Sequence, residues 1–173
     1  DSRKWAEEMV KEAFEYVEFF EDNDFKDIVV SLKASDIETT IIANEIFASK
    51  TDIPLHLGIT EAGPLISGLV KSTVFLYRLL SKGIGDTVRV SLTDEPYKEV
   101  IAAFEILKAM GLRSWGPDIV SCPTCARCQT DLINIVQKVE ETVFSDPLLR
   151  KKSTGKKIAI MGCVVNGPGE ARY

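Results

Sequence analysis

Two consecutive stretches, "IPLHLGIT" (Ile53–Thr60) and "PLISGLVKSTVFLYRLLSKG" (Pro64–Gly83), decide how this chain folds. The first is a short apolar run that reads as a buried strand. The second repeats its apolar residues at helical spacing, with Pro64 near its start and Gly83 after its end. A strand followed directly by a helix of this length is one turn of a parallel βα pattern. The same pair occurs on both sides. Upstream, "FKDIVVSLKAS" supplies a β-branched run over Ile28–Leu32, and Ser35 or Asp36 can cap a helix reaching about Ser49. Downstream, "DTVRVSL" (Asp86–Leu92) is a third strand and "EPYKEVIAAFEILKAMG" a third helix ending at Gly111.

Three strand–helix units in succession predict a parallel sheet covered by helices. A helix over residues 2–20 precedes them, with Trp5, Met9, Val10, Phe14, Val17 and Phe20 on one apolar face and Asp1 or Ser2 as its cap. Polar residues gather where the strands end: Lys33, then His56, Thr60 and Glu61, then Arg89 and Ser91. In parallel α/β folds that edge is where ligands bind, whether the sheet is open or closed. One charged strand end is an ordinary solvated position; three successive units sharing the feature point to a site.

After "LRSWGP" (Leu112–Pro117) the rhythm changes, and a second, smaller domain is expected: 1–112 and 113–173. "GPDIVSCPTC" runs a strand into a cysteine turn, "QTDLINIVQKVEETVF" is a helix, and "KKIAIMGC" is a strand that delivers another cysteine. Cys122, Cys125 and Cys128 stand at C-x-x-C-x-x-C spacing, and Cys163 lies in "MGCVVNGPGE". Four thiols suit zinc, a redox disulfide, an iron–sulfur cluster or nothing beyond packing, and cysteine count alone does not separate iron from zinc. The only histidine, His56, lies in the other domain, so an all-protein zinc site would need Cys128 as its fourth ligand. Around Cys163, Gly162, Gly167 and Gly169 permit close backbone approach to a bulky group, beside the carboxylate Glu170.

The bulk properties narrow the field. The chain has 173 residues and a formal charge of −5, with 45% hydrophobic and 27% charged residues. Nothing global points to nucleic acid or a membrane, and no apolar stretch approaches the ~20 residues that span a bilayer. The pattern of residues 1–14 reads as an amphipathic helix rather than a signal peptide, and four cysteines are too few for a secreted disulfide scaffold. A reducing, cytoplasmic setting of bacterial type is the default. The basic run "RKKSTGKK" (Arg150–Lys157) reads as a solvated loop.

"SCPTC" followed by a helix and then "IMGCVVNGPGEA", with "SLKASD", "PLHLGITEAG" and "GIGDTVRVSL" upstream in order, resembles the GcpE (IspG) family of 4-hydroxy-3-methylbut-2-enyl diphosphate synthases. The resemblance implies an α/β chain: the last three βα units of a TIM-type barrel followed by part of a small α+β iron–sulfur domain. It implies a 4Fe–4S cluster on Cys122, Cys125, Cys163 and Glu170. It implies an oxidoreductase of non-mevalonate isoprenoid biosynthesis, opening and dehydrating 2-C-methyl-D-erythritol 2,4-cyclodiphosphate with electrons from ferredoxin or flavodoxin. Lys33, Arg89 and Ser91 match positions that hold the diphosphate; His56 and Thr60 line the same edge, and Glu61 is a candidate proton donor. The full-length form is expected to be a homodimer. This chain departs from the common C-P-T-C-G-R-T pattern at Ala126 and Cys128, so Cys128 is not expected to be a ligand. With three barrel strands and an end at "GEARY", the chain reads as a truncated piece, inactive alone. Two rival readings are a non-catalytic zinc module built on the four cysteines and a half-barrel metabolic enzyme of another class whose cysteines are structural.

Overall fold

The structure, a computed structural model, describes residues 1–163. Glu170 and the "NGPGE" segment lie outside the described residues. The chain forms two compact units, one over Asp1–Ile106 and the other from Leu107 onward.

In the first unit the expected alternation of strands and helices is present. Helix α1 (Ser2–Asp22) begins at Asp1, whose carboxylate accepts from Arg3 N–H at 3.2 Å. Its buried stripe is Ala6, Val10 and Val17, and Phe14 stacks on Phe47 of α2 (Ile37–Ala48) with ring centroids 4.8 Å apart. Trp5, expected on this face, is instead 63% exposed, and Phe20 is also exposed. The contact stripe runs from Ala6 at four- and seven-residue intervals, which turns Trp5 onto the flank. Asp36 is the cap of α2, accepting from Thr39 N–H at 2.8 Å.

Three extended segments lie side by side and parallel. Val30 pairs with Leu55, and β1 (His56–Leu57) pairs with β2 (Thr87–Val88) in the register His56↔Thr87 and Leu57↔Val88. The segments are shorter than the sequence suggests, and Ile28–Leu32 contributes a single bridge rather than a strand. Pro54 has no N–H to offer a ladder, and the Leu55 N–H is taken by the Asp86 carboxylate at 2.8 Å. Leu55, Leu57 and Ile59 alternate into a core with Ile41, Phe47, Phe75, Leu76 and Val90, all at most 3% exposed. Helices α3 (Leu65–Leu80) and α4 (Pro96–Ala109) follow β1 and β2.

The second unit is another parallel pair. β3 (Asp118–Ser121) and β4 (Lys157–Ile160) run from Asp118↔Lys157 to Ser121↔Ile160, joined through α5 (Leu132–Ser145) and α6 (Pro147–Ser153). The expectation that Arg150–Lys157 forms a solvated loop is corrected by α6. Asp146 accepts from the N–H groups of Leu148 and Leu149, and Pro147 fits the first turn, so the helix starts there and includes Arg150–Ser153. Arg150 is not simply solvated: its guanidinium lies 4.5 Å from the Trp115 ring centroid and donates to Phe144 O at 3.1 Å. Among the described residues no helix is long and apolar enough to cross a membrane.

Candidate functional site

The parallel segments place Lys33, His56 and Arg89 at one edge of the first unit. Two ladder bonds fix their backbones: His56 N–H donates to Val30 O at 2.8 Å, and Arg89 N–H to Leu57 O at 2.8 Å. Gly58 leaves the space that the lysine occupies. A methyl group there would stand 3.4 Å from Lys33 Nζ and 3.0 Å from Arg89 O. Lys33 and His56 both feel the Arg89 charge. Burial, then the Arg89 charge, lowers the Lys33 pKa, while burial followed by the charges of Lys33 and Arg89 lowers that of His56. His56 Nδ1 also lies 2.8 Å from Thr87 Oγ1. Among the described residues neither Lys33 nor Arg89 forms an ion pair.

Thr60, Glu61 and Ser91 sit on the same strand-end turns, but no described contact joins their side chains to the three basic groups. Glu61 is exposed, with a left-handed backbone (φ 54°). The turn it belongs to is tied to the next strand end, where Thr93 N–H donates to Gly63 O at 3.0 Å.

Sequence reading missed two residues that hold Lys33 in place. Thr40 and Asn44, one helical turn apart on α2, are both fully buried. Asn44 Nδ2 donates to Leu32 O at 3.1 Å, and Ala34 N–H donates to Thr40 Oγ1 at 3.0 Å, so the backbone is gripped on either side of Lys33. Two polar residues four apart on an otherwise apolar helix face were the available signal. Asn44→Ala is expected to destabilise the protein by about 1–3 kcal/mol, because the buried Leu32 carbonyl loses its partner. An unchanged urea midpoint would contradict that role.

In the second unit β3 leads into the cysteine turn and β4 leads to Cys163. All four cysteines are free thiols. Three bonds tie the turn to the Cys163 segment: Cys122 N–H to Ile160 O at 3.4 Å, Gln129 N–H to Gly162 O at 3.0 Å, and Gly162 N–H to Cys122 Sγ at 3.3 Å. Cys125 is exposed and its thiol pKa is pushed down, chiefly by hydrogen bonds from the Arg127 backbone and side chain. Cys128 differs. Its thiol donates to Thr130 O at 3.3 Å, and a methyl on Gly162 would lie only 2.5 Å from its sulfur. Cys128 therefore fills the space beside Gly162.

Among the described residues no three Cys, His, Asp or Glu side chains converge on a point that one metal ion could occupy. Two thiols on one tight turn, a third at the end of a neighbouring parallel strand and an N–H directed at sulfur fit a cluster.

Comparisons with known proteins identify the family. The GcpE TIM-barrel domain matches residues 1–104, and the GcpE protein C-terminal domain matches residues 118–173. A protein of Hydrogenobaculum sp., named 4-hydroxy-3-methylbut-2-en-1-yl diphosphate synthase (flavodoxin), is 54% identical over 97% of this chain and 46% of its own length. Proteins of the same name from Persephonella marina (54% identical, 96% of this chain, 46% of its own) and Lawsonia intracellularis (50%, 96% and 45%) are similarly related. The chain thus spans about half the length of the curated relatives it matches.

Proposed function

Because the chain belongs to the GcpE family, we propose that it forms the later part of a 4-hydroxy-3-methylbut-2-enyl diphosphate synthase. The family match places the first unit in a TIM-barrel domain family. In our reading its three βα units are the last of the barrel, and the cysteine unit is the iron–sulfur domain. The zinc-module alternative is not supported by the three relatives described above, each of which carries the synthase name.

The observation that carries this reading is the uncompensated basic cluster of Lys33, His56 and Arg89. Two like charges held beside each other with no ion-pair partner among the described residues, in a unit that is acidic overall, form a seat for a multiply charged anion. A cyclic diphosphate fits it. Lys33 supplies a point charge and Arg89 a planar fork for phosphate oxygens, with His56, Thr60 and Ser91 lining the seat. Glu61, exposed on its turn, is the candidate proton donor. Opening the ring of 2-C-methyl-D-erythritol 2,4-cyclodiphosphate and expelling water consumes two electrons and two protons, so the reaction needs both a reductant and a proton source. Cys122, Cys125, Cys163 and Glu170 would hold a 4Fe–4S cluster, which supplies electrons one at a time. Flavodoxin, named in the relatives, or a ferredoxin would deliver them, and the working form would be a homodimer.

The seat is testable through its only histidine. His56 is expected to titrate below the usual ~6.5 in the free protein, because its cationic form is disfavoured by burial and by Lys33 and Arg89. Inorganic diphosphate should raise that midpoint by neutralising its neighbours. A ring titration followed by NMR that diphosphate leaves unmoved would sink the anion-seat assignment.

A further inference from the structure

The overall charge of −5 conceals a sharp division. Residues 1–106 carry 11 Lys and Arg against 20 Asp and Glu, whereas residues 107–173 carry 10 against 6. A strongly acidic unit is followed by a basic one, and such asymmetry concerns partners rather than fold.

The basic excess is concentrated in one place. Lys151, Lys152, Lys156 and Lys157 crowd the end of α6 and the start of β4, all exposed and none in an ion pair with a described residue. Local structure explains only part of this. Arg150 is engaged with Trp115 and Phe144, and cations at Lys151 and Lys152 suit a helix C-terminus. Lys156 and Lys157 lie beyond the helix, where no dipole calls for them. The described acidic groups on these and the neighbouring elements are few: Asp118 on β3 is the register partner of Lys157, Asp146 caps the far end of α6, Asp131 caps α5, and Glu140 and Glu141 lie on α5.

We propose that this lysine face is the docking surface for an acidic electron-carrying protein. The inference rests on the reading of this unit as the iron–sulfur domain and adds where its reductant lands. Charge complementarity selects an acidic partner, and a carrier protein is the partner that a cluster domain requires. The separation is compatible. Lys157 opens β4 and Cys163 lies six residues on, a separation that an extended chain limits to about 20 Å. An interface of ~800 Å² per partner is roughly 30 Å across, more than that span. Exposed Arg127, between Cys125 and Cys128, extends the positive charge to the cysteine end. Surface charge of this kind acts mainly on the rate of encounter.

The test uses the full-length enzyme and an acidic, flavin-loaded flavodoxin, with association followed by stopped-flow flavin fluorescence. Replacing Lys151, Lys152, Lys156 and Lys157 together with Glu should lower the association rate constant about 10–100-fold at low ionic strength. The corresponding Gln variant should fall in between, and the difference should close near 1 M salt, where the screening length is ~3 Å. Dissociation should change little. Equal association rates for wild type and both variants would overturn the proposal, as would a fall that persists at high salt. Loss of self-association with flavodoxin capture intact would assign the face to the acidic unit of a second copy instead. Normal salt-dependent capture without any turnover of the cyclic diphosphate would overturn the proposed function and leave the docking surface standing.

Discussion

Cys163→Ser is expected to abolish cluster incorporation, while Cys128→Thr leaves iron content and spectrum unchanged. Anaerobically reconstituted wild-type protein should absorb broadly near ~400 nm, as thiolate-bound iron–sulfur clusters do. Cys163 ends the segment that Gly162 and Gln129 fasten to the cysteine turn, so its sulfur is delivered to the same locality as Cys122. Removing it deletes one of the three thiolates proposed to hold the cluster. Cys128 has a different occupation. Its thiol proton is donated to Thr130 O and its sulfur packs against Gly162, so a threonine of similar size can keep both contacts. Iron analysis and absorbance on the two variants check this directly. Equal iron loss from both would show that the ligands are assigned wrongly.

Arg89→Ala is expected to weaken binding of the cyclic diphosphate by about 10–100-fold, the effect of losing one or two charge-assisted hydrogen bonds to phosphate. The fold should survive. The Arg89 side chain is exposed, and its backbone N–H bond to Leu57 O remains in the variant. A second readout separates loss of a ligand from general damage. Without the Arg89 charge, the His56 midpoint should rise toward its ordinary value, because that charge is one of the causes holding it down. Arg89→Lys should recover part of the affinity but not the forked geometry. Unchanged affinity in Arg89→Ala, measured by calorimetry on the full-length enzyme, would remove Arg89 from the seat.

The helices were legible because each carries its own punctuation. Asp36 caps α2 as expected, Pro64 precedes α3, and α4 ends just before Gly111. The edge bearing Lys33, His56 and Arg89 was legible for a related reason: parallel βα units put their loops at one end whatever the sheet's length. The strands were overestimated because β-branched composition reports burial, not the ladder partners that Pro54 and Asp86 interrupt. Helix α6 escaped notice since seven residues rich in lysine show no apolar period, and only the Asp146-Pro147 pair announces it. The exposure of Trp5 also depends on partners, because the sequence does not say which arc of α1 meets α2. Thr40 and Asn44 became meaningful once the backbone groups beside Lys33 were known to need partners.

The central claim is that this chain belongs to an enzyme that reduces a cyclic diphosphate using a cluster held in its second unit. Anaerobic incubation of the full-length, cluster-reconstituted enzyme with 2-C-methyl-D-erythritol 2,4-cyclodiphosphate and reduced flavodoxin, with products identified by mass spectrometry, tests it most directly. The account predicts 4-hydroxy-3-methylbut-2-enyl diphosphate, formed with oxidation of flavodoxin and lost in Cys163→Ser. Recovery of unreacted cyclodiphosphate from enzyme whose cluster is intact and reduced would contradict it.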